Sequence, residues 1–265
     1  MVEASHVVTG GGRGVGRAVV ERVLGAGGHA VIVELDPNLL DWIDDHPAKD
    51  RIEPVIGSAD DEAVCAHAAE RARSRAPLAG WVNNAAVLRD ASLHTEQISA
   101  VLDSIGVNLR MAVTGCAAAV RSFLSAGIGG SIVNVSSHQA QRPVPGCLPY
   151  ATAKAGIEGL TRAVAVDYGQ YGIRANAVAL GTIAVERYVN DIAQLGPARG
   201  ATWARETERL HALERVGQPD EAAATIAYLL SDQASFISGA VIPVDGGRAA
   251  LAREPAAGPE HGGEV

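Results

Sequence analysis

A single doubly wound α/β domain, with a seven-stranded parallel sheet flanked by about six helices, is predicted by three features of this 265-residue chain. Short β-branched runs alternate with longer Ala-rich amphipathic stretches, which is the pattern of repeated strand–helix units. The runs are continuously apolar, as in strands buried on both faces. A glycine-rich turn follows the first run and opens the first helical stretch. In chain order, His6-Val7-Val8 is the first strand and Arg17–Gly25 the first amphipathic helix. The runs Ala30–Val33 and Pro54–Ile56 supply strands two and three, and Asp61–Arg75 the next helix. Gly80–Val82, the long stretch Gln97–Ala126 and Ser131–Val135 continue the alternation. Tyr150–Tyr168 is helical, Arg174–Val178 a strand, Asp220–Leu230 helical, and Ala240–Val244 the seventh strand. The domain is expected over residues 1–250. The Ala/Gly/Pro/Glu tail over 251–265 has nothing to bury and is expected to be disordered.

Composition narrows the function classes. Hydrophobic content of 48% is enough for a sizeable core, and the thirty glycines and two phenylalanines point to tight turns and an aliphatic interior. A net charge of −8 without a basic run argues against nucleic acid or an anionic membrane as partner. No apolar stretch approaches the ~20 residues of a membrane span. Met1 to Thr9 lacks the charged and apolar regions of a leader. Cys65, Cys116 and Cys147 are scattered, give no metal-ligand spacing, and suggest a reducing, cytoplasmic location.

Two motifs carry chemistry. Thr9-Gly10-Gly11-Gly12-Arg13-Gly14-Val15-Gly16 stands between a strand and a helix, where glycines let backbone N–H groups approach a pyrophosphate at the helix N-terminus. Glu34 follows Gly16 by eighteen positions, at the end of the second strand. Its carboxylate can accept both ribose hydroxyls and repel a 2′-phosphate, so NAD is expected over NADP. Asp36 reinforces that sign, whereas Arg13 could meet a 2′-phosphate. The second motif is Tyr150-Ala151-Thr152-Ala153-Lys154, with Ser136-Ser137 upstream. On a helix, Tyr150 and Lys154 share a face. A nearby cation should lower the tyrosine pKa from its usual ~10 and make it a usable acid/base.

With the glycine loop, Asn83-Asn84-Ala85-Ala86, Asn108, Ser137 and Tyr150-x-x-x-Lys154 in this order, residues 5–248 resemble the short-chain dehydrogenase/reductase family. Ile173–Val178, Arg215–Pro219, Ser238-Gly239 and Val244–Gly247 extend the match. The resemblance implies a Rossmann-like fold, hydride exchange between a nicotinamide and an alcohol or carbonyl carbon, and a homotetramer or homodimer. Tyr150 would be the general acid/base, Ser137 would hold the substrate oxygen, and Ser136 would face the structure. Lys154 would hold the nicotinamide ribose and depress the tyrosine pKa, and Asn108 would link Lys154 to a proton relay. Cofactor contacts are implied for Gly10, Gly12, Arg13, Gly14, Val15, Gly16, Glu34, Leu35, Ala59, Asn84, Ala85, Ala86, Tyr150, Lys154, Gly181 and Ile183.

Three departures from the family pattern stand out. Ala86 replaces a glycine, Val185 replaces a hydroxyl-bearing residue, and the aspartate expected after the third strand has only Ser58 or Asp60 as candidates. Substrate contacts should come from His138, Gln139, Arg142 and Cys147, and from a lid at about 184–216. In that lid Trp203, Thr207 and Leu210 would share a helical face, with Tyr188 and Leu213 nearby. An NADPH-dependent ketoreductase and a catalytically idle dinucleotide sensor are the competing readings.

Overall fold

Each strand of the protein presents apolar side chains to both faces, and the computed structural model shows what each face meets. It describes residues 4–252; Met1 to Glu3 and most of the expected tail, 253–265, lie outside the described residues. Seven strands form one sheet: β1 (Ser5–Thr9), β2 (His29–Glu34), β3 (Ile52–Ile56), β4 (Leu78–Asn83), β5 (Gly130–Ser137), β6 (Ile173–Leu180) and β7 (Val241–Val244). Their order is β3-β2-β1-β4-β5-β6-β7, and every neighbouring pair is parallel. The expected seven-stranded doubly wound sheet is therefore present.

Seven α-helices accompany it among the described residues: α1 (Gly14–Gly25), α2 (Glu62–Arg75), α3 (Ile98–Ala126), α4 (Leu148–Tyr168), α5 (Glu186–Leu195), α6 (Pro197–Glu208) and α7 (Pro219–Leu230). That is one more than about six, because the expected lid contains two. The first helix also begins three residues before Arg17, directly off the glycine loop. Val7, Val31, Trp81 and Ile132 point to a core shared with α2, α3 and α4, including Cys65, Ala69, Phe123 and Val164. Their neighbours Val8, Ile32, Val82 and Val133 point the other way, onto Val19 and Val23 of α1 and Ile226 and Leu229 of α7. This two-sided burial is why the strands read as continuous apolar runs. None of the described helices is long and apolar enough to cross a membrane, and the described residues contain no His/Cys/Asp/Glu group able to hold a metal.

A buried polar chain crosses the first of these cores. The Trp81 indole N–H donates to Asn83 Oδ1 at 2.8 Å, and Asn83 Nδ2 donates to Asn134 Oδ1 at 2.8 Å. Asn134 Nδ2 then donates to the Thr161 hydroxyl at 2.9 Å, which donates to the Ile157 carbonyl at 2.8 Å. It joins β4, β5 and α4. Gly115 of α3 packs directly on it, and a methyl group there would stand 1.9 Å from Asn83 Oδ1. Gly115→Ala should therefore destabilise the fold by about 1–3 kcal/mol despite its better helix propensity. Chemical denaturation checks this, and an unchanged or raised midpoint would contradict it.

Candidate active site

The strand order reverses direction between β1 and β4, and ligands of open α/β sheets bind in the crevice beyond the strand ends at such a point. A cleft of about 610 Å3 opens there, lined by Gly10, Arg13, Gly14, Val15, Glu34, Leu35, Ala59, Asn84, Ala85 and Ala86, among others. Ten of the residues expected to contact a cofactor thus converge on one cavity. Gly12, Gly16, Tyr150, Lys154, Gly181 and Ile183 are not among its lining residues, and the two glycines shape the loop instead. Gly10 sits at φ 65°, and a methyl group on Gly16 would stand 2.1 Å from the Gly10 carbonyl oxygen. The turn therefore requires glycine at both positions.

Glu34 is held at the end of β2 by two backbone donors. Gly12 N–H reaches Oε2 at 3.1 Å and Leu35 N–H reaches Oε1 at 2.9 Å. Each carboxylate oxygen retains a lone pair toward the cleft. Asp36 does not substitute for it, because its carboxylate accepts from Asn38 N–H at 3.0 Å and caps the following 3-10 turn. Arg13 is exposed on the cleft rim. The uncertainty after the third strand resolves in part: Ala59 is buried in the cleft wall, and Asp60, also on the wall, accepts the Ser58 hydroxyl at 2.5 Å.

The sequence reading assigned Thr9 no role, yet its hydroxyl ties the loop to β4. It donates to the Val82 carbonyl at 3.4 Å and accepts from Asn84 N–H and Ala85 N–H, each at 3.1 Å. The Asn84 amide completes the clasp, donating to the Thr9 and Gly10 carbonyls at 3.1 and 2.9 Å. Asn84 therefore braces the glycine loop from the cleft wall. Only the place of Thr9 directly ahead of the glycines hinted at this.

Outside the lining of this cleft, β5 delivers Ser137 and α4 delivers Tyr150 and Lys154, and the Tyr150 phenol feels the charge of Arg187, which does line it. Ser137 is the last residue of its strand and hydrogen-bonds the Tyr150 phenol. Ser136 faces the other way, as expected, and donates to buried Glu158 at 3.1 Å. Lys154 is 2% exposed, and its ammonium donates to the Val135 carbonyl at 2.6 Å.

One expectation about this cluster needs correction. Lys154 does not depress the Tyr150 pKa here: burial dominates and pushes the phenol up to about 12, against the smaller opposing pull of Ser137 and of the Arg187 charge. The same burial draws Lys154 down to about 8. The ammonium lies 5.3 Å from the tyrosine ring centroid and spends one donor on the backbone. Asn108 is turned to the wall of the cleft. Its Oδ1 accepts from Val87 N–H at 2.9 Å and its Nδ2 donates to the Val87 carbonyl at 2.8 Å. The side chain thereby fixes the cleft wall at Val87.

Around the cluster, His138 is buried and its pKa is lowered to about 4, mainly by that burial and next by Arg248. At neutral pH its imidazole is therefore uncharged. Cys147 is half-buried with its thiol pKa raised by burial, which fits a filler rather than a nucleophile. Gly181 and Ile183 leave β6 just beside Asp245 and Gly217. In the lid, Trp203 of α6 stacks on Tyr188 of α5 with ring centroids 5.5 Å apart. The shared face expected for Trp203, Thr207 and Leu210 breaks down, because α6 ends at Glu208 and leaves Leu210 in the following turn.

Comparison with known proteins agrees with this arrangement. Residues 10–249 match the family model described as Enoyl-(Acyl carrier protein) reductase. Levodione reductase of Leifsonia aquatica is 32% identical over 250 residues, covering 92% of this chain and 93% of the relative. The 2,5-dichloro-2,5-cyclohexadiene-1,4-diol dehydrogenase of Sphingobium indicum is 31% identical over 252 residues, covering 92% and 96%. The crystal structure of levodione reductase superposes with a TM-score of 0.86 at 29% identity, covering 95% of this chain and all of that one. The likeness thus runs along nearly the whole length, in sequence and in fold, and the chain belongs to the short-chain dehydrogenase/reductase family of oxidoreductases.

Proposed function

We propose that this protein interconverts a secondary alcohol and its ketone with NAD as hydride carrier. The observation that carries the reading is the Ser137–Tyr150 hydrogen bond beside buried Lys154, with the phenol under the influence of Arg187, which lines the same cleft as the Glu34 carboxylate. The chain's residues fit such a cofactor: the Gly10–Gly16 turn leaves no room for a Cβ, and Glu34 presents acceptor lone pairs and negative charge to a ribose. Bound there, NAD would supply the nicotinamide carbon that accepts or returns the hydride. In alcohol oxidation the Tyr150 phenolate takes the hydroxyl proton while Ser137 steadies the same oxygen; in reduction Tyr150 returns it. Lys154 has two ammonium hydrogens beyond the one given to Val135, and these suit the hydroxyls of a ribose. Gly181 and Ile183 offer backbone groups at the nicotinamide end. Asn108 acts by positioning Val87.

A small alcohol or carbonyl compound is the expected partner, in a cytoplasmic setting. The outward faces of α3 and α4 expose Val113 and Val166, which suits a homotetramer joined through the helix that carries Tyr150. Arg13 on the rim favours the rival NADPH reading, and Glu34 opposes it.

The test is a panel of cyclic and acyclic secondary alcohols assayed with NAD and NADP, following the absorbance of the reduced nicotinamide. Turnover with NAD, at a higher kcat/KM than with NADP, is expected. Tight NAD binding with no turnover across the panel would favour an idle sensor, and a preference for NADP would overturn the coenzyme assignment.

A further inference from the structure

Thr182, on the strand-to-lid connection directly before Ile183, has each of its polar groups held by a different part of the chain. Its carbonyl accepts from Gly217 N–H at 2.9 Å, and its hydroxyl accepts from Arg248 at 2.5 Å. Its N–H donates to Nε2 of His211 at 3.1 Å. His211 follows α6 and is 1% exposed, among the most deeply buried polar side chains described. Its other ring nitrogen, Nδ1, lies 3.0 Å from the Thr207 carbonyl. A backbone N–H can only donate and a carbonyl can only accept, so the contacts determine the tautomer. Nε2 is the bare acceptor, and Nδ1 carries the proton and gives it to Thr207.

We propose that His211 is a positioning residue: it latches the end of the lid to Thr182 and so fixes the backbone of Ile183 and Val185 against the cofactor cleft. The inference rests on the dinucleotide reading of that cleft. Three further contacts make the latch part of one assembly. Leu213 N–H donates to the Gly246 carbonyl at 3.0 Å, Gly181 N–H to the Val244 carbonyl at 3.1 Å, and Ala184 N–H to the Gly217 carbonyl at 2.8 Å. At its far end the same connection touches the glycine loop, since a methyl group on Gly14 would lie 3.1 Å from Val185 Cγ1. A displacement of Thr182 is therefore passed to both the nicotinamide end and the phosphate end of the cleft. The imidazole is well suited to the task, being a rigid ring with an acceptor and a donor on opposite sides. Among neutral side chains, glutamine places an acceptor at comparable reach.

Two variants separate positioning from bulk packing. His211→Phe fills the same volume but leaves Thr182 N–H and the Thr207 carbonyl without partners, and His211→Gln restores an acceptor. In the cofactor-free protein, hydrogen exchange of the amides over residues 181–186 should quicken in His211→Phe while the sheet core stays protected, and His211→Gln should return it toward wild type. Steady-state kinetics should show the KM for NAD raised about ten-fold in His211→Phe, as expected for one buried hydrogen bond, with kcat changed much less. His211→Gln should recover most of that loss. Unchanged exchange and KM in His211→Phe would overturn the proposal. So would a uniform loss of protection across the chain that His211→Gln does not rescue, since that marks a residue serving the core alone. If the wild-type protein binds neither NAD nor NADP, the cofactor reading falls, and the exchange measurement on the free protein still decides whether the latch exists.

Discussion

Replacing Tyr150 by phenylalanine should lower kcat/KM by about 10³-fold or more while leaving NADH affinity within about two-fold of wild type, because it removes the only proton-transfer group bonded to Ser137 and nothing that builds the cleft. The phenol adds no structural hydrogen bond beyond that one, so folding should be unaffected. The same residue predicts the direction of the pH dependence. Burial pushes the Tyr150 pKa up to about 12, so at neutral pH the base needed for alcohol oxidation is scarce. Its population grows about ten-fold per pH unit below that value. Oxidation kcat/KM should therefore climb steeply from about pH 6 to about pH 9, whereas carbonyl reduction, which uses the protonated phenol, should not climb. Lys154, drawn down to about 8, begins to lose its charge within this range and should soften the upper part of the rise. Initial rates in both directions at constant ionic strength would check this. A flat oxidation profile, or substantial turnover by Tyr150→Phe, would remove Tyr150 from its role.

Glu34→Gln should lower the ratio of kcat/KM for NAD to that for NADP by about ten- to hundred-fold. A charged hydrogen bond is worth roughly 1.5–3 kcal/mol, and the neutral amide also ceases to repel a 2′-phosphate. Glutamine is preferable to alanine because it keeps an acceptor for one of the two backbone donors, Gly12 N–H on Oε2 and Leu35 N–H on Oε1, that lean on this side chain. Removing it entirely would confound coenzyme choice with collapse of the glycine loop. Arg13 is exposed on the same rim and free to turn toward a phosphate once the carboxylate charge is gone. Kinetics with both coenzymes on one substrate would measure the ratio, and an unchanged ratio would detach Glu34 from the ribose.

The elements that were legible in the sequence are those whose burial is imposed by periodicity. Val7 and Val8 each find a core on opposite faces, so the strand needed no knowledge of its neighbours to be recognised. The placement of Ser137 and Tyr150 was legible because thirteen residues of spacing bring a strand end against the first turn of a helix. Protonation was not. Whether Lys154 or burial governs the Tyr150 pKa depends on distances and desolvation that no spacing encodes, and here desolvation wins. The direction of the Asn108 amide was not legible either: it turns to Val87 because both backbone groups of that residue lie within its reach. His211 went unnoticed for a related reason. It stands in a polar segment with no recognisable spacing, and its partner Thr182 is twenty-nine residues away.

The buried chain from Trp81 to Ile157 has a consequence for how many native states the protein possesses. An indole nitrogen can only give a hydrogen and a carbonyl oxygen can only take one, so the two ends dictate the sense of every bond between them. Neither asparagine amide can rotate by half a turn without setting like against like, and the Thr161 hydroxyl has one orientation available. The strand ending at Ser137 and the helix carrying Tyr150 are thereby joined by a polarised thread with a single readable direction. Trp81→Phe would cut its first link and leave the sense of the thread to the Thr161–Ile157 end and to the Ala112 carbonyl that Asn83 also meets, so the catalytic strand and helix would keep one arrangement with a weaker hold on it.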